Sequence, residues 1–318
     1  MALLLSASRT HAQKLYISCY GNEAIFVANT NGLQTFATNL VLPEALVFNK
    51  TGNLFVGNNT SIAEFTPSGS QSVFATGVNE PTGLAFNRQG NLFEADFGSS
   101  NIFEFTTNGV KSLFASGFVY PYGLAFDRFG NLFIACFGTS NVVEIATNGA
   151  QSTFASAAGL TSPVGLAFDG GGNLYVSDAN SGNIFKYATN GAQSTFASQL
   201  AAPYFMAFDG GGNLYAAELG AGNIIEVDTN GILSTNVTGL SFPQGVAFPP
   251  VFRLKAANTD KSVMLNVSMP SPYFSTVIQG STDLLDWSSI YTNMAPYSYS
   301  NSVSSTFKFR FYRAFLGP

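Results

Sequence analysis

The string Asn-Leu-(Phe/Tyr) recurs at Asn53, Asn91, Asn131, Asn173 and Asn213, with Lys14-Leu15-Tyr16 as a divergent first copy, so the chain repeats about every 40 residues. A unit of that length cannot bury its own apolar face and must stack on its neighbours, which confines the chain to a repeat architecture. Each copy is followed by a second strand-like run, such as Asn-Ile-Phe-Glu-Phe-Thr from Asn101 or Asn-Ile-Ile-Glu-Val-Asp from Asn223. A turn comes next, Thr-Asn-Gly around Asn31, Asn108, Asn148, Asn190 and Asn230 and Pro67-Ser68-Gly69 in the remaining unit, and then a third run. Asn-Gly tolerates positive φ, which predicts two-residue hairpin turns joining antiparallel strands. Between units a further run opens at Pro43, Pro81, Pro121, Pro163, Pro203 and Pro243 and closes on a phenylalanine five residues later. Four short strands per unit, with no helical period, predict an all-β fold: a β-propeller of six blades.

The order of the runs carries its own information. The chain opens on a three-strand unit at Leu15 and ends its repeat on a lone proline-initiated strand, residues 243–248. A propeller must hide its first and last edges. Pairing the last strand with the first unit therefore predicts a ring closed by a 1+3 strand clasp, and that composite sheet is blade 1.

Units such as the one from Pro163 to Gly191 resemble NHL-type repeats, and residues 14–250 are similar to the six-bladed superfamily that includes the gluconolactonase and regucalcin-like lactonases. The resemblance implies that the proline-initiated strand lines the channel and that the residue after proline, with the end of the next strand, builds the mouth. The lactonases of this architecture bind calcium through Glu-Gly-Pro, Pro-Asn-Gly and Pro-Asp-Gly motifs, because calcium requires several hard oxygen ligands. Here the residues after the prolines are Glu44, Thr82, Tyr122, Val164, Tyr204 and Gln244, so the lactonase motifs are not matched. Streptogramin lyases, another propeller family, lean on histidine, and the one histidine, His11, precedes the repeats.

Two sets of residues carry candidate chemistry. The second strand of each unit ends on Cys19, Asn58, Asp96, Cys136, Asp178 or Glu218. Asp178 and Glu218, on adjacent blades, are the candidate metal or acid/base pair; the alternative is that each caps its own loop. Glu94 stands where other units have Ile17, Val56, Ile134, Val176 and Ala216, on the same face as Asp96. A charge there must be paired, protonated or bound to a ligand. The ligand-binding candidates are thus Glu44, Glu94, Asp96, Tyr122, Asp178, Tyr204, Glu218 and Gln244. They are accompanied by mouth-loop aromatics that include Tyr20, Phe97, Tyr120, Phe137, Phe205 and Phe242, which suit stacking of a sugar or flat ligand or else plug the channel. Asp127, Asp169 and Asp209, with Asn49 and Asn87, are expected to form Asx turns. Cys19 and Cys136, on opposite blades, are expected to be free thiols.

Composition narrows the function. Only 10% of residues are charged, net charge is −5, and no basic cluster exists, which argues against a nucleic-acid partner. No apolar run approaches the ~18 residues of a membrane span. Residues 1–13 read either as the remnant of an export signal or as a disordered start, so a secreted or periplasmic location is an expectation. After Pro249-Pro250, residues 251–318 resemble the small β-modules that end many secreted bacterial proteins, with Trp287 as core anchor and Arg310 and Arg313 at a solvated edge. The leading expectation is an exported, non-catalytic monomer binding a small molecule, glycan or protein at the channel mouth without a cofactor. The alternative is a divergent metal-dependent lactonase, with calcium as its metal, and the third is a structural module of a surface assembly.

Overall fold

The computed structural model describes residues 13–156 and 159–250, together with the backbone of six strands between residues 253 and 316. Six four-stranded antiparallel sheets form the blades. Blade 2 comprises Leu46–Phe48, Leu54–Asn58, Ser61–Phe65 and Gln71–Thr76, and blades 3 to 6 repeat that order from Pro81, Pro121, Pro163 and Pro203. Blade 1 is composite: Pro243–Ala247 pairs antiparallel with Leu15–Cys19, which leads on to Ala24–Asn29 and Gly32–Ala37. The 1+3 clasp is therefore the closure of the ring. Beyond it, Arg253–Thr259, Ser262–Ser268 and Tyr297–Ser302 form one three-stranded sheet, and Ser275–Ser281, Ser288–Met294 and Phe311–Leu316 form another. The readings of residues 1–12, Trp287 and Arg310 and of the Arg313 side chain fall outside what is described.

Burial runs outward from the axis. Second strands are buried along their whole length in blades 2 to 5, as in Leu132–Cys136, because both of their faces meet another blade. The outermost strands are largely exposed, Leu233–Val237 being typical. Between neighbouring blades lies one repeated contact. The phenylalanine closing each inner strand meets, edge to face, the aromatic ring in the second strand of the preceding blade. The pairs are Phe48 with Tyr16, Phe86 with Phe55, Phe126 with Phe93, Phe168 with Phe133, Phe208 with Tyr175 and Phe248 with Tyr215, at 4.9–5.1 Å between centroids. In five blades the second-strand ring also meets a phenylalanine of its own outer strand, as Phe93 does with Phe114 at 4.8 Å.

At the mouth end the inner strands converge until backbone touches backbone. A Cβ on Gly123 would lie 2.1 Å from the Val164 carbonyl oxygen, and one on Gly83 1.9 Å from that of Tyr122. Each glycine sits where the inner strand breaks register with the second strand, a bulge that aims it at the next blade. In blades 1 and 5 a serine completes the junction: Ser177 Oγ accepts the Gly165 amide at 2.8 Å and donates to the Tyr204 carbonyl at 2.5 Å. Ser18 does the same between Gly245 and the Glu44 carbonyl.

Two local expectations change. Strand pairing in blade 2 begins regularly only at Leu46, although the Gly57 amide still donates to the Ala45 carbonyl at 3.0 Å. A two-residue connection forms only in blade 1, where Asn29 faces Gly32 across Thr30-Asn31 and the glycine is already the first residue of the next strand. In blade 3 the last ladder pair is Phe105 with Lys111, and Asn108-Gly109 ends a turn in which the Gly109 amide donates to Thr106 O at 2.8 Å. There only glycine takes the left-handed conformation, Gly109 at φ 77, and Thr106 Oγ1 holds the far side by accepting the Val110 amide. The predicted Asx turns form as expected: Asp127 Oδ1 accepts the amides of Phe129 and Asn131, each at 2.8 Å.

Gly123→Ala is expected to cost about 1–3 kcal/mol of stability, because the added methyl must displace the Val164 backbone. Urea denaturation followed by far-ultraviolet circular dichroism measures it, and an unchanged midpoint would refute the close-approach account.

Candidate channel-mouth site

Inner strands run from proline at the mouth to phenylalanine at the opposite face, so the six residues after proline meet at the mouth end of the axis. Tyr122 is the centre of the cluster. It is buried, its hydroxyl lies 3.1 Å from Glu44 Oε2 and 3.4 Å from Gln244 Oε1, and its ring meets Tyr204 edge to face at 5.8 Å. Phe205 lies tilted against the Tyr122 ring at 5.7 Å, and Phe97 and Phe137 close in at 6.0 and 6.2 Å. Four sequence candidates, Glu44, Tyr122, Tyr204 and Gln244, are thus brought together from blades 2, 4, 6 and 1. Thr82 and Val164, the other two after-proline residues, are buried, and Thr82 Oγ1 donates to the Pro121 carbonyl at 2.9 Å.

Burial dominates the electrostatics of the cluster. It pushes the Glu44 carboxyl up to about 7, against the opposing hydrogen bond from Tyr122, while nearby Glu80 adds to the rise. The Tyr122 phenol is raised well above its ordinary value, first by burial and then by the Glu44 charge. A carboxyl that titrates near neutrality beside a protonated phenol can give or take a proton. Access is another matter, because the cavity reaching Glu44, lined also by Tyr20, Asn58 and Glu80, measures about 30 Å³. That is the volume of one water molecule.

The second-strand acids are placed differently. Asp178 is fully buried and accepts four hydrogen bonds, from Thr161 N and Oγ1 at 2.6 Å, Ser162 N at 2.8 Å and Ser181 N at 2.9 Å. These donors hold its carboxyl below the ordinary aspartate range in spite of burial. Asp96 likewise accepts Asn79 N and Ser99 N, and Glu218 accepts Ala201 N at 2.9 Å. Each acid ties down the loop that leads into its own blade's inner strand, and Asp178 and Glu218 serve two separate loops. Among the described residues no three His, Cys, Asp or Glu side chains cluster as metal ligands. Cys19 and Cys136 are buried free thiols, raised by burial to about 12 and about 11.

Glu94 has no place in the mouth. It is fully buried between Leu84 and Phe103 on the neighbouring strands, and neither carboxylate oxygen has a hydrogen-bond partner. Lys111 Nζ is taken by the Gly77 carbonyl at 2.7 Å and by the Phe103 ring at 3.7 Å. Burial, then repulsion from Asp96, lifts the Glu94 carboxyl to about 9. Sequence reasoning found the anomaly by repeat position but missed Glu80 and Asn58 as neighbours of Glu44. Asn58 is buried with an unpartnered Oδ1, and its repeat position marks it as a strand end without showing that it lines the same small cavity as Glu44.

Comparison with known proteins adds the fold. No protein-family model matches the sequence, and no curated protein matches it. Solved structures do match. One is a streptogramin B lyase, at TM-score 0.60 and 15% identity over 81% of this chain and 88% of that one. A gluconolactonase from Xanthomonas campestris matches at TM-score 0.60 and 16% identity, over 82% and 97%. A chain of a nidogen/laminin complex matches at 0.68 and 18%, over 74% and 98%. Identities this low establish a shared six-bladed propeller and nothing about chemistry.

Glu94 supplies the pH test. Its folded pKa of about 9 lies above the ordinary 4.5, so the folded state holds a proton that the unfolded state loses between those values. Stability is expected to fall as pH rises from 4.5 towards 9, by on the order of 1 kcal/mol per pH unit. Glu94→Val should flatten that slope and raise stability at pH 8, read by chemical denaturation at a series of pH values. A wild-type-like slope in the variant would show that the carboxyl is ionised and satisfied.

Proposed function

We propose that this protein is a non-catalytic binding propeller whose mouth face takes a glycan or a similarly polyhydroxylated surface. The observation that carries the reading is the plug. Glu44, the one mouth acid whose carboxyl is pushed up towards neutrality, is hydrogen-bonded to the buried Tyr122, and the cavity beside it has room for about one water, so among the described residues a substrate finds little space around this carboxyl. What the mouth does present is a shallow rim bearing exposed Tyr120 and Phe242, with Tyr120 stacked on Phe97 at 4.7 Å. Aromatic faces with hydroxyl and amide groups beneath them suit the alternating apolar and polar faces of sugars. Export through the leader-like residues 1–13 would place such a rim where glycans and other proteins meet it.

The lactonase reading rests on one specific observation, the Glu44 carboxyl near pKa 7 beside a phenol. The gluconolactonase-like neighbour gives it a precedent in fold. Calcium would have Glu44, Glu80 and the Asn58 and Gln244 amide oxygens as its nearest candidates, fewer hard ligands than the six to eight it favours.

A glycan array followed by calorimetry on the hits is expected to give binding that weakens at least tenfold in Tyr120→Ala and Phe242→Ala. Glu44→Gln should leave the wild-type protein's lactone-hydrolysis background unchanged. Calcium-dependent turnover lost in Glu44→Gln would overturn the binding reading in favour of the hydrolase.

A further inference from the structure

Below the plug the channel opens again. At the face opposite the mouth lies a chamber of about 200 Å³ walled by the ends of all six inner strands. Among the described residues its only polar lining side chain is Asn87, whose Oδ1 is already taken by the Asn91 backbone amide at 2.9 Å. Neither a charged side chain nor a hydroxyl of the described residues lines it. Phe205 forms its floor: this residue stands where four other blades have glycine, lines the chamber and lies against Tyr122. The outer ring of the chamber is the set of six phenylalanines, each held in orientation by its edge-to-face partner on the preceding blade.

We infer that this chamber is a second binding site, for a neutral apolar molecule of one or two rings. An apolar cavity of about 150 Å³ suffices for one benzene and stays empty of water, so about 200 Å³ admits a bicyclic ring and little more. A charged ligand is excluded, since entering would strip its hydration with no partner in the walls. Longer or bulkier molecules are stopped by Phe205. The small residues Ala167 and Ala207 keep the volume open: both line the chamber and remain partly accessible although they lie deep in the ring. The site is independent of the glycan reading, because the plug separates the two faces.

Indole titrated into the full-length protein by calorimetry is expected to bind saturably at one site. Ala207→Leu and Ala167→Leu should each weaken it about tenfold, the loss of some 60 Å² of apolar contact. Phe205→Ala should shift preference toward the longer 4-phenylphenol, a gain that mere loosening of the fold would not produce. Thermal midpoints identify any variant that fails to fold, and the remaining two then decide. Absence of saturable indole binding in the wild type overturns the inference. So does wild-type affinity in a folded Ala207→Leu protein, or an equal loss in Tyr120→Ala at the mouth.

Discussion

The ring depends on one aromatic contact made six times. Each inner-strand phenylalanine reaches across to an aromatic ring in the blade before it, and the near-constant 4.9–5.1 Å separation fixes how closely successive blades stack at that radius. Edge-to-face pairs add about 0.5–1.5 kcal/mol each beyond the area they bury. Their greater effect is geometric, because a contact that is directional and repeated turns a stack of twisted sheets into a closed ring. With both faces of the blades occupied, little surface is left to carry charge, which accounts for a chain that is only 10% charged.

The buried carboxylates divide by how their lone pairs are spent. Asp178, with four donors, is held ionised and serves as a knot for its loop. Glu94 has none and is held neutral by its surroundings. Glu44 lies between them, sharing one phenol with Gln244 and titrating near neutrality. Asp178 and Glu94 are equally deep and Glu44 is partly buried, so donor count, more than depth, decides whether a carboxylate here is a structural fixture or a group able to change state.

Much of the fold was legible because it is written once per repeat. Spacing gave the blades, the unmatched last strand gave the clasp, and Asp127, Asp169 and Asp209 announced their turns by position. What resisted reading was whatever joins residues from different units. Nothing local says that Tyr122 and Glu44 meet, 78 positions apart, because that contact exists only once six strands converge on an axis. The turn chemistry was obscured for a smaller reason: Asn108-Gly109 suits a two-residue loop, but the Thr106 hydroxyl favours a longer one. The emptiness of the far chamber was equally hidden, since composition records which side chains line a space and not how far apart they stand.

The clasp has a consequence for how the ring comes apart and together. Ser18 accepts the Gly245 amide across 227 residues of chain and donates its own hydroxyl to the Glu44 carbonyl of blade 2, so a single hydroxyl lies on the seam between the first and last strands of the ring. Five blades are continuous in sequence and can assemble as synthesis proceeds, while blade 1 stays one strand short until the whole circle is made. Closure is therefore the slow, long-range event of folding. A tension applied along the first residues would bear at once on both ladders of Leu15–Cys19, the seam to Pro243–Ala247 and the hairpin to Ala24–Asn29, before it reached any other blade.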